Sequence, residues 1–90
     1  MAPSNLATVA ISSTQVNLSW TDNSSNEQGF RILRSSDGGK TWSQIGQVGA
    51  NVTTFADTHT SRGITYLYRV YAYNGVGNSA YSDVAQVTTP

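Results

Sequence analysis

Residues 66–73 read Tyr-Leu-Tyr-Arg-Val-Tyr-Ala-Tyr and alternate for eight residues without a break. In an extended chain successive side chains point to opposite faces. Tyr66, Tyr68, Val70 and Ala72 therefore share one side, and Leu67, Arg69, Tyr71 and Tyr73 the other. A helix would scatter each set around its axis, so the pattern demands a strand. Residues 16–20 repeat the period, with Val16, Leu18 and Trp20 on one face and Asn17 and Ser19 on the other. Residues 30–34 do the same with Phe30 and Ile32.

Clusters of Gly, Asn, Asp and Ser punctuate these runs, notably TDNSSNEQG after Trp20, DTHTSRG before Tyr66 and NGVGN after Tyr73. Further strands are predicted over residues 6–10, from Trp42 to Ile45, over 54–56 and over 82–88. Seven short strands with frequent turn signals and no helical period predict an all-β chain, a sandwich of two antiparallel sheets forming a single domain over residues 1–90.

Composition narrows the function classes. The chain has no cysteine, so neither a disulfide nor a thiolate metal site can brace it. Five basic and five acidic side chains leave no basic stripe for a nucleic acid backbone. Apolar runs last only a few residues, which predicts no membrane-spanning segment, and the opening MAPSNLATVA lacks the pattern of a signal peptide.

The frame Pro3…Leu6, Leu18-Ser19-Trp20, Gly29-Phe30-Arg31-Ile32, then Gly63 through Asn74, then Ser82 and Val84, resembles a fibronectin type III domain across nearly the whole chain. The wording of TDNSSNEQGFRI and the closing TTP resembles the modules of secreted bacterial hydrolases. That resemblance implies an immunoglobulin-like sandwich of seven strands. It implies a Tyr66 whose hydroxyl bonds back to the preceding loop, a "tyrosine corner", and Trp20 as the large aromatic of the core. It also implies an extracellular setting and, for a natural protein, carbohydrate-active enzyme domains on the same chain.

The chain departs from the family pattern at His59, Thr60 and Arg62, where glycine, leucine and proline are common. The loop before the corner is thus expected to lack an apolar plug. Leu33, Leu67 and Tyr71 stand where outward polar residues are usual. With Arg31, Arg69 and Tyr73 they predict a solvent-facing apolar patch rimmed by arginine, a candidate partner-binding or self-pairing face.

Residues 35–42, SSDGGKTW, fit S-x-D-x-G-x-T-W, which resembles the Asp-box of sialidases. A hairpin here needs residues that accept positive φ, which Asp37-Gly38-Gly39 supplies, with the Asp37 carboxylate free to cap backbone amides and Trp42 packing beside the turn. One copy on a short chain predicts a structural turn, not a catalytic centre.

Other chemistry is thin. His59, the sole histidine, has Asp57 two residues earlier, but no nucleophile elbow accompanies them. Asp22, Asn23, Asn26 and Glu27 offer oxygens within one loop, without the density of a calcium site. No catalytic, cofactor or metal residues are therefore assigned, and no enzyme activity is expected. Two readings stay open. One is an interaction scaffold, natural or engineered, binding a protein through the outer face or through the end loops at Asp22, Asn23, Asn26, Glu27, Gly75, Val76 and Asn78. The other is a spacer module from a secreted bacterial carbohydrate-active enzyme.

Overall fold

A computed structural model of the chain describes residues 3–23, 27–75 and 77–90. Seven strands follow in order: β1 (Ser4–Ser12), β2 (Gln15–Thr21), β3 (Gly29–Ser35), β4 (Ser43–Gly49), β5 (Thr54–Asp57), β6 (Thr65–Tyr73) and β7 (Ala85–Thr88). They form a three-stranded sheet, β1-β2-β5, and a four-stranded sheet, β4-β3-β6-β7, with every pairing between named strands antiparallel. This is the expected immunoglobulin-like sandwich.

The alternation read from the sequence sets the core. Leu6, Val16, Leu18 and Trp20 from one sheet meet Phe30, Ile32, Tyr66, Tyr68, Val70 and Ala72 from the other. Trp20 meets Phe30 edge-on, with ring centroids 5.6 Å apart, an arrangement aromatic pairs favour. The free margin between the sheets is closed by Phe55 of β5, whose ring fills the place a side chain would take at Gly46 of β4. A methyl group there would lie 2.6 Å from that ring.

The tyrosine corner forms. The Ser61 amide donates to the Tyr66 hydroxyl at 2.8 Å. The apolar plug expected to be missing is replaced: Thr60 is buried and its hydroxyl donates to the Ser13 carbonyl at 3.1 Å, tying the loop to the β1–β2 turn. Thr89 fastens the other side of the loop, its hydroxyl donating to the Ser61 carbonyl and accepting from the Ile64 amide at 3.2 Å.

The last strand is shorter than the predicted 82–88. The Ala72 and Val70 amides donate to the hydroxyls of Ser79 and Ser82, each at 2.9 Å. Side-chain oxygens thus take the place of backbone carbonyls, and regular pairing starts only at Ala85.

The chain enters and leaves at opposite ends of the sandwich. Ser4 opens β1 beside Thr21, where β2 ends, whereas Thr88 closes β7 beside Thr65, where β6 begins. The long axis of the molecule measures 38 Å.

Candidate functional site

The outer face of the four-stranded sheet gathers the residues that the alternation assigns to it. Tyr71 of β6 lies opposite Arg31 of β3, Arg69 opposite Leu33, Leu67 opposite Ser35 and Tyr73 opposite Gly29. The Arg69 guanidinium lies between two rings, 4.2 Å from the centroid of Trp42 and 3.7 Å from that of Tyr81. Tyr81 meets Tyr71 edge-on at 5.6 Å. The Tyr71 hydroxyl accepts an N–H of Arg31 at 3.4 Å, a contact that favours the charged guanidinium, and Arg31 in turn lies 4.3 Å over the ring of Tyr73. Rings and cations thus interleave in one ribbon: Trp42, Arg69, Tyr81, Tyr71, Arg31, Tyr73.

The ribbon changes the expected apolar patch. Trp42 precedes β4, and β3 lies between β4 and β6. The contact between Arg69 and Trp42 therefore spans β3, where Leu33 is the residue opposite Arg69. Leu33 is only 9% exposed, although it points away from the core. Leu67 and Tyr71 are half-buried. The face presents arginines and rings, with Leu33 covered and Leu67 half-covered.

The SSDGGKTW turn places Trp42 for that contact. Gly38 and Gly39 take φ of 77° and 91°, open to glycine and costly to other residues. The Asp37 carboxylate accepts from the Ser35 hydroxyl at 2.7 Å, from the Thr41 amide at 3.0 Å and from the Thr41 hydroxyl. These bonds, led by those from Thr41, hold its carboxyl well below the usual carboxylate range. Trp42 Nε1 donates to the Gly39 carbonyl at 3.1 Å, which fixes the indole beside the turn.

Asp57 and His59 do not join into a relay. Asp57 is buried; its carboxylate accepts from Arg34 at 2.8 Å, from the Tyr68 hydroxyl at 2.8 Å and from the His59 backbone amide at 3.1 Å. Burial and the neighbouring Asp57 push the Tyr68 hydroxyl well above the ordinary phenol range. The exposed His59 ring lies 3.5 Å from the Thr58 hydroxyl.

The end loops converge where the chain enters. The Gln28 amide donates to the Tyr73 carbonyl at 2.7 Å, Asn78 bridges to Tyr73, and Gly75 lies beside the Gln28 side chain. Asn23 donates to the Ser4 hydroxyl at 2.8 Å. Asp22 and Glu27 are half-buried. Asn26 and Val76 lie outside the described residues.

Two residues of these constellations escaped the sequence. Tyr81 lies outside any regular strand, so period-2 reasoning assigns it no face. Arg34 points inward, where an arginine is not expected, because Asp57 waits there.

The fibronectin type III family model matches residues 1–88. The chain belongs to that family. An amylopullulanase of Thermoanaerobacterium saccharolyticum is 33% identical over 98% of this chain. The chain spans 7% of that enzyme's length, so the similarity concerns one stretch of a much longer hydrolase. Among solved structures, an Fn3-like protein from Clostridium thermocellum superimposes with a TM-score of 0.84 at 24% identity, covering 100% of this chain and 93% of that one. A β-1,2-glucanase from Parabacteroides distasonis gives 0.84 at 23% identity, covering 98% of this fibronectin type III domain and 12% of the glucanase chain. At such identities the two structures speak for the fold alone.

Proposed function

We propose that this fibronectin type III domain, taken as one module over residues 1–90, is a non-catalytic in-line spacer within an extracellular bacterial carbohydrate-active enzyme. It holds a catalytic domain and a binding module at a set separation. The observation that carries this reading is the placement of the two chain ends at opposite poles of a 38 Å long body. Each pole is fastened: Asn23 bonds Ser4 at one, and Thr89 bonds the tyrosine-corner loop at the other. A rigid sandwich tied at both ends transmits orientation as well as distance, which a flexible linker does not. The 33% identity to one stretch of an amylopullulanase supports the same setting. In this arrangement Asn23, Gln28 and Asn78, at the pole where the chain enters, form an interdomain contact.

The test replaces residues 3–90 with a Gly/Ser linker of equal length in the full-length hydrolase. The expected result is slower hydrolysis of polymeric substrate with hydrolysis of a short soluble oligosaccharide unchanged. Unchanged rates on both substrates would sink the spacer role.

A further inference from the structure

We propose that the outer face of the four-stranded sheet binds an extended acidic segment of polypeptide, with Arg31 and Arg69 each taking one carboxylate. This goes beyond the spacer reading and does not depend on it.

The first argument is charge. Among the described residues the one ion pair joins Arg34 to Asp57, so Arg31 and Arg69 have no carboxylate partner. The acidic residues lie elsewhere: Asp37 caps its turn, Asp57 serves Arg34, Asp83 accepts the Leu6 amide, and Asp22 and Glu27 belong to the 22–28 loop. The face is therefore a cationic strip on a chain of zero net charge.

The second argument is preorganisation. Stacking on aromatic rings holds both guanidiniums, and the Nε atom of each is buried without an acceptor. Only the terminal N–H edges remain for a ligand, and they suit a carboxylate oxygen pair approaching end-on. The side-chain entropy that normally opposes such a contact is already lost.

The third argument is spacing. Arg31 lies opposite Tyr71, and Arg69 is two residues from Tyr71 on the same strand. The α-carbons of such diagonal neighbours are about 7–8 Å apart, so the two side chains rise from adjacent positions of one face. Acidic residues at i and i+2 of an extended segment share a face at roughly 6.6–6.8 Å. A second copy of this chain would instead oppose arginine with arginine. A sugar stacks on an open ring face, and guanidiniums occupy the faces of Trp42, Tyr73 and Tyr81.

The experiment follows arginine Nε–H and backbone amide signals by NMR at low salt while the intact chain is titrated with acetyl-Thr-Glu-Val-Glu-Thr-amide. Its Gln-for-Glu counterpart and a maltooligosaccharide are titrated separately. The expected result is a shift of the Arg31 and Arg69 Nε–H signals with the Glu peptide, at least tenfold tighter than with the Gln peptide. The binding should weaken in 0.5 M salt, where screening shortens to a few ångströms, roughly as in bulk electrolyte. Arg31→Gln should weaken it about tenfold, the size of one lost charge-assisted contact, and Arg62→Gln should leave it unchanged. Equal response to both peptides would overturn the proposal. So would shifts confined to Arg62 and Lys40, or a response to the oligosaccharide alone.

Discussion

Arg69 and Trp42 meet across an intervening strand, the guanidinium carbon 4.2 Å from the ring centroid, and Leu33, the residue of that strand opposite Arg69, is buried. A turn on the far side of β3 is thereby coupled to the middle of β6. The coupling joins the local chemistry of Asp37 and its two glycines to the packing of the sheet's outer side.

Replacing Arg69 with Met keeps an unbranched apolar stem and removes the cation. It should destabilise the domain by about 1–2 kcal/mol, since a partly desolvated cation–π contact is worth that much. Arg69→Lys should not restore the loss, because an ammonium cannot lie flat between two rings. Urea denaturation followed by tryptophan fluorescence measures both; full rescue by lysine would mean that charge alone matters.

Asp57→Ala strands the Arg34 guanidinium and the Tyr68 hydroxyl at the end of the core. The expected cost is about 3–5 kcal/mol, as for other buried pairs broken on one side. Arg34→Ala with Asp57→Ala in a double-mutant cycle should show strong coupling, and additive losses would remove the pairing argument.

Tyr66→Phe deletes one hydroxyl and leaves the Ser61 amide without its acceptor. A loss of about 1–2 kcal/mol is expected in chemical denaturation. Thr89→Val acts on the same loop from the other side, so the two losses should be less than additive if the corner works as a unit.

Acid should loosen the SSDGGKTW turn. The Asp37 carboxyl titrates lower in the folded chain than in the unfolded one, held down by its bonds to Thr41 and Ser35. Its contribution to stability is therefore complete above the unfolded value of about 4 and is lost as the pH falls toward the folded value. Melting temperature measured from pH 6 down to pH 2 should drop less steeply in Asp37→Asn than in the parent chain. Identical slopes would show that other carboxylates control the acid response.

Much of this architecture was legible without coordinates. The strict period of residues 16–20 and 66–73 named the core faces of β2 and β6, because a two-residue repeat leaves a strand no other way to bury its apolar side. Asp37-Gly38-Gly39 announced its turn, because positive φ is a local demand that few residues meet. The tertiary structure alone decided what covers the outer face. Alternation says which way Leu33 and Arg69 point, but it does not say that Arg69 meets a tryptophan from beyond β3, or that Tyr81 closes the stack from an irregular segment. It could not foresee that Arg34 turns inward to Asp57, or that Thr60 replaces a missing leucine by bonding the Ser13 carbonyl. Periodicity is a property of one strand and its own backbone; cation–π stacking, buried ion pairs and side-chain caps depend on which distant strands become neighbours, and only the assembled sheets decide that.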